Sequence, residues 1–175
     1  MSSKLSFTGF VEKHEGKVWS AYIRIPDEII SECNHWPNNR AVVTFNGVHQ
    51  KYAALLSNAK GFKYLLISKQ DLKVLHSHSN EPLHVSLLHD HSKYGMPVPK
   101  EWEKVELENP EVIPYFEQLT PGKKRSLLHL IGKYKSSDAR MRKALAVAHH
   151  LIEVEGNLDF KELNTLMKEY NNLSL

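Results

Sequence analysis

The amino-acid sequence predicts an α+β protein, a small β-barrel with short capping helices followed by a small helical bundle, and three observations carry that prediction. Up to about residue 90, short runs alternate apolar with polar residues or are rich in β-branched and aromatic ones. From residue 109 onward the apolar residues recur at helical spacing behind capping residues. Between the two halves, Ser92 to Pro99 contains Gly95, Pro97 and Pro99 and continues neither a strand nor a helix. The expected organisation is a β-barrel domain over 1–91, a linker over 92–99 and a helical domain over 100–175.

The first strand is marked by Leu5, Phe7, Gly9 and Val11 alternating with polar neighbours, and the second by Val18 to Ile25. Pro26 suits a first helical position, and Asp27 and Glu28 behind it favour the helix dipole. Ala41 to Phe45 and Val48 to Leu56 flank Asn46-Gly47, whose residues both accept positive φ, so a hairpin is expected there. Gly61 to Ile67 and Pro82 to Asp90 bring the total to about six strands. Between these two runs Ser68 and Asp71 form a capping box ahead of Leu72 and Leu75.

In the second half, Asn109-Pro110 starts a short helix carrying Val112, Ile113, Phe116 and Leu119, limited by Pro114. Thr120-Pro121 caps the next, with Leu127, Leu128, Ile131 and Tyr134 on one face. Ser137 is the expected cap of a third helix, whose Met141, Ala144, Leu145, Ala148, Leu151 and Ile152 face inward before Gly156 stops it. Asp159 and Glu162 box the last, lined by Phe160, Leu163, Leu166, Met167 and Tyr170.

With 175 residues, 41% of them apolar, the chain can bury one generous core or two modest ones. A lone Cys33 forms no internal disulfide, Met1 to Lys4 lack the apolar run of a signal peptide, and no stretch approaches the roughly 20 apolar residues of a membrane helix. A cytoplasmic protein without membrane insertion is expected. The net charge of +3 is mild, but positions 123–143 alone carry eight cations against Asp138, a local +7 that leaves −4 for the rest. Cations crowded at helix starts oppose the macrodipole, so a reason outside helix stability is needed.

The run Tyr115-Phe116-Glu117-Gln118-Leu119-Thr120-Pro121-Gly122-Lys123-Lys124-Arg125, continued by Lys135 to Ala144 and closed by Gly156, resembles the YdeI-like, OmpD-associated family, also described as bacteriocin-protection proteins. Lys135, Asp138, Arg140 and Lys143 occupy its basic pattern, with Ala139 where Ser or Thr is usual. Residues 1–90, with Ile25-Pro26-Asp27-Glu28, Phe45-Asn46-Gly47 and Leu87-Leu88-His89-Asp90, look like the small β-barrel domain that commonly precedes this module. The resemblance covers nearly the whole chain. It implies a bacterial protein with a double-split barrel, a fold type shared with AbrB-like and MazE-like transcription factors. It implies no established activity, and shared fold does not transfer function.

Candidate anion- or nucleic-acid-binding residues are Gly122, Lys123, Lys124, Arg125, Lys133, Lys135, Arg140, Arg142 and Lys143. Helix-start amides bind anions, Gly122 leaves the backbone approachable, and the cations add charge at the same place. A helix of about 12 residues separates Lys123, Lys124 and Arg125 from the five cations around the following turn, Lys133, Lys135, Arg140, Arg142 and Lys143, by roughly 18 Å, which suits an extended polyanion better than one phosphate. The competing reading is a solvated helix face partly matched by Glu106, Glu108, Glu111 and Glu117, and no aromatic stacking platform accompanies the cluster. His76-x-His78, His84, His89-x-His91 and His149-His150 offer metal-ligand types, but no cysteine joins them and no functional metal or cofactor is expected. No G-x-S-x-G, P-loop, G-x-G-x-x-G or H-E-x-x-H occurs, and Glu32 beside Cys33 does not activate a thiol, so no catalytic residue is assigned. The leading expectation is a non-enzymatic binding or regulatory module for an anion or nucleic acid. The alternatives are a small-molecule binder or enzyme with its site in the barrel or between the domains, and a protein-interaction module in a stress or bacteriocin-protection response.

Overall fold

The structure is a computed structural model that describes residues 4–13, 19–59, 61–76 and 81–172. It is α+β, and the chain divides into two compact units, Met1–His91 and Ser92–Leu175, each with its own apolar core.

The first unit contains β1 (Leu5–Lys13), β2 (Trp19–Arg24), α1 (Asp27–Cys33), β3 (Arg40–Phe45), β4 (His49–Ala54), β5 (Leu56–Ser57), β6 (Lys63–Ser68), α2 (Lys69–Leu75) and β7 (Pro82–His89). The seven strands form one antiparallel sheet in the order β4-β3-β7-β1-β2-β6-β5. Because β4 and β5 are consecutive in the chain yet occupy opposite ends of that order, the sheet curls almost into a closed barrel. Alternation sends Phe7 and Val11, Ala21 and Ile23, Val43 and Phe45, Leu65 and Ile67, and Val85 and Leu87 inward as the core. Gly9 sits among them because a Cβ there would lie 2.3 Å from Ile23 Cγ2.

At the expected hairpin Asn46 and Gly47 both have positive φ, +49° and +72°, and the Val48 amide donates to Phe45 O at 3.0 Å. Val48 is left outside the ladder, because Phe45 pairs with His49. The single strand expected over Val48 to Leu56 is broken in two. Leu55 is buried and its amide bonds Asn39 O at 2.8 Å, so the chain turns there and leaves β3 for β6.

The seam between β4 and β6 is polar. Lys51 Nζ donates to Leu66 O at 2.9 Å and to Asp71 Oδ2 at 2.6 Å, while His49 Nε2 lies 2.8 Å from Asp71 Oδ1. Asp71 also completes the Ser68 capping box of α2. Burial pushes the Asp71 carboxyl up, but Lys51, the Ser68 amide and His49 outweigh it and bring it down to about 2.

The second unit contains α3 (Lys100–Glu108), α4 (Val112–Glu117), α5 (Pro121–Gly132), α6 (Ser137–Glu153), α7 (Phe160–Glu169) and a 3-10 turn over Tyr170–Asn172. Helix α6 is its centre, packed by α3, α4, α5 and α7. Helix α3 is absent from the sequence reading because its buried face is only Glu101, Trp102 and Val105 in an otherwise charged segment. The cap of α6 is Ser136, whose side chain accepts the Ala139 amide at 3.3 Å, one residue before the expected Ser137. Ser137 donates instead to Glu101 Oε1 at 2.7 Å. Gly156 ends that segment at φ +81°, its amide bonding Leu151 O at 2.8 Å. On α7, Leu163 and Met167 are buried, whereas Phe160, expected on the inner line, is 41% exposed. Within 92–99, Tyr94 packs edge-on against Phe116 in the helical core.

Candidate anion-binding site

Helix α5 has apolar residues on one face only, so its ends carry cations into two different environments. At the start, Thr120 accepts the Lys123 amide at 3.4 Å and Pro121 fills the first turn. Gly122 and Lys123 are exposed, and a Cβ on Gly122 would meet nothing within 4 Å. Lys124 is an ion-pair partner of Glu117, which also accepts from Lys93 Nζ and Tyr94 Oη, each at 2.7 Å. Lys124, then Lys93, holds the Glu117 carboxyl down at about 2 against the opposing effect of burial. Arg125 donates to Tyr94 O at 3.4 Å. This first turn is therefore largely committed to holding the 92–99 segment and α4.

The turn from α5 to α6 is organised by Arg140. Its Nη1 donates to Tyr134 O at 2.9 Å and Lys135 O at 2.8 Å, closing the turn, while Nη2 donates to Glu101 Oε1 at 2.8 Å. Arg140 and Ser137 hold the Glu101 carboxyl down at about 2, and burial opposes them less strongly. Lys143 points inward. It is 2% exposed, and its Nζ donates to Met167 O at 2.7 Å and to Asn171 Oδ1, fastening the end of α7 to α6. Burial, then Arg142 and Lys133, lowers its pKa. Arg140 and Lys143 thus explain two positions of the basic pattern by the fold they hold. Arg142 is half-buried, and Lys133 and Lys135 are exposed, with Lys133 Nζ 5.3 Å from the Tyr134 ring centroid.

Beside this turn lies a cleft of about 420 Å³. Met96, Val98, Pro99 and Leu128 form apolar walls, and Lys100, Lys133, Arg140 and His129 stand around them, with Glu101 the one acid. Gly132 lets α5 run close to Pro99, whose Cγ would be 3.4 Å from a Cβ at that position. Such a lining can hold an apolar body and neutralise an anionic end. Lys133 and Arg140 are the candidates that the structure brings together here. Lys123, Lys124 and Arg125 lie at the other end of α5. The sequence does not single out Lys100, because Pro97-Val98-Pro99 reads as a linker and the charged helix behind it has little apolar periodicity, nor His129, because a lone histidine on an expected helix carries no sign of the cleft it faces.

Among the described residues the histidines lie at separate places, apart from one neighbouring pair. His89 and His91 have ring centroids 4.2 Å apart, with His89 Nε2 3.2 Å from Asn38 Oδ1, and Asp90 between them is fully buried beside Arg40 at 3.4 Å. His149 Nδ1 is 2.9 Å from Tyr170 Oη, and His150 Nε2 accepts the Asp159 amide at 3.2 Å. His78 lies outside the described residues. Among the described residues no three His, Cys, Asp or Glu side chains are grouped to hold a metal ion, and no helix is long and apolar enough to cross a membrane. Cys33 is buried, and its thiol is raised to about 11, chiefly by that burial. Neither a protein-family model nor a curated protein matches this chain.

Proposed function

We propose that the helical unit is a non-enzymatic binding module for anions that carry an apolar portion, with the ligand held in the cleft beside the α5–α6 turn. The observation that carries this reading is the convergence of Lys100, Lys133 and Arg140 on a cavity walled by Met96, Val98, Pro99 and Leu128. Its volume falls within the roughly 300–1,000 Å³ of sites that enclose a small ligand. Arg140 is engaged with Glu101 and the turn carbonyls, so Lys100 and Lys133 supply the charge available to a ligand. The resemblance to YdeI-like, OmpD-associated proteins supports a bacterial setting for such a module, and the lone Cys33 is in keeping with a cytoplasmic one.

The test uses 8-anilinonaphthalene-1-sulfonate, an apolar anion whose fluorescence rises on binding, with octanoate as competitor. The native chain binds the dye and octanoate displaces it. Changing Lys100 and Lys133 together to Gln weakens the dye at least tenfold, about 1.4 kcal/mol, just under the roughly 1.5–3 kcal/mol of one hydrogen bond to a charged group. Unchanged dye binding in that variant sinks the reading.

A polyanion across the helical face is the second reading, favoured by Lys123 at one end of α5 and Lys133 and Lys135 at the other, all exposed. Fluorescence anisotropy with short single- and double-stranded nucleic acids should then show binding that weakens with salt and is lost when these three become Gln. Salt-independent binding rules it out.

A further inference from the structure

The barrel carries a second cavity that owes nothing to the basic helices. On β2, Tyr22 and Arg24 point outward between the buried Ala21, Ile23 and Ile25, and the register sets Arg24 against Tyr64 and Tyr22 against Leu66 on β6. Phe62, just before β6, has its amide held by Asn58 Oδ1 at 3.3 Å. The Tyr22 and Phe62 rings are 22° from parallel with centroids 6.2 Å apart. Tyr64 stands across both, at 72° and 5.7 Å from Tyr22 and at 65° and 6.0 Å from Phe62. These three rings and Asn58 bound a notch of about 190 Å³.

The chemistry of its occupant follows from size and charge. A notch below the roughly 300 Å³ of an enclosing pocket admits one ring of a larger molecule whose remainder lies along the sheet. Aromatic faces attract either a cation or another planar ring. Here the cation is already present, because the Arg24 guanidinium lies 5.0 Å from the Phe62 centroid. That guanidinium already covers the ring face a cationic ligand would take, and it can pair with the phosphate of an anionic chain. Arg24 is free to turn toward such a chain: its ion pair with Asp27 is 4.0 Å long between side chains 54% and 82% exposed, a geometry that holds little. The nearby Glu12 carboxylate accepts the Tyr22 hydroxyl at 2.6 Å. A planar ring on an anionic chain is a nucleotide, and aromatic side chains with Arg on an open sheet face stack bases without reading their edges. We propose that this notch stacks one pyrimidine-sized base of a single-stranded nucleic acid, with Arg24 on the adjoining phosphate.

The test is fluorescence anisotropy of the full chain with labelled oligodeoxyuridylate, oligouridylate and an abasic strand of the same length and charge. A base-bearing strand is expected to bind more tightly than the abasic one. Phe62→Ala should weaken it roughly 5- to 150-fold, the range for one stacked base. Arg24→Gln, at an exposed position, should lower the slope of log affinity against log salt by about 0.7, and it keeps the test available if Phe62→Ala does not fold. Preference for one of the two base-bearing strands assigns the sugar. Equal binding of abasic and base-bearing strands overturns the proposal. So does wild-type binding by both variants, or a proline-rich peptide shifting the Phe62 and Tyr64 amide resonances when neither strand does. The cleft variants Lys100→Gln and Lys133→Gln leave the notch intact, so the two sites succeed or fail separately.

Discussion

Replacing Asp71 by Asn should open the barrel seam. The carboxylate holds Lys51 from β4, His49 from the same strand and the Ser68 amide at the start of α2, and so joins the two strands between which the sheet would otherwise gape. A carboxyl moved from 3.8 to about 2 contributes about 2 kcal/mol at 1.36 kcal/mol per unit. Losing one partner of a buried pair costs about 3–5 kcal/mol, and side chains here that are 18% and 21% exposed place the cost at or below the low end of that range. We expect about 2–3 kcal/mol at pH 7. Because the folded pKa is depressed, this stability is present above about pH 4 and is lost as pH falls through about 2. The gap between native and variant chains should therefore narrow below pH 4. Pulsed hydrogen exchange across a urea series, read on peptides from β4 and β6, follows this unit by itself. With a urea slope of about 1–3 kcal/mol per molar, the midpoint should move by about 1 M. Equal midpoints at pH 7, or a gap unchanged between pH 7 and pH 3, would refute the reasoning.

Three further outcomes are expected. Gly9→Ala places a methyl against Ile23 and should destabilise the barrel by about 1–3 kcal/mol in the same urea series, with the helical unit unaffected. Lys143→Gln should speed hydrogen exchange in α7 while leaving dye binding at the cleft unchanged, because its ammonium serves Met167 and Asn171. Iodoacetamide at pH 8 should leave Cys33 unmodified in the native chain and label it in urea, since burial shields the thiol and raises it to about 11; rapid native labelling would show that the α1 end opens.

Much of the local structure was legible because it depends on neighbours in sequence. Asn46-Gly47 announces its turn through the positive φ both residues accept, and Ser68 with Asp71, Thr120 with Pro121 and Asp159 announce helix starts through amides they can reach. The α+β class and the barrel-like sheet followed from those periodicities. Less of the candidate sites was legible. In a list of charges Lys143 resembles Lys133, yet one is buried against the end of α7 and the other rims a cleft. Local pattern leaves Ser136 and Ser137 equivalent as caps, and the choice follows from Glu101, which engages Ser137 from a helix 36 residues away.

That the chain is α+β, where most of its helices begin and end, and that positive charge gathers between 123 and 143 can all be read along the chain. Those properties reside in short-range backbone preference and in composition. Tertiary structure alone decided that β4 and β5 end up at opposite edges of one sheet, which cations are consumed by carboxylates and carbonyls, and that Tyr22, Phe62 and Tyr64 meet in a notch. Each of these depends on contacts between residues far apart in the chain, formed by burial and strand register, and no local pattern encodes which distant partner a side chain will meet.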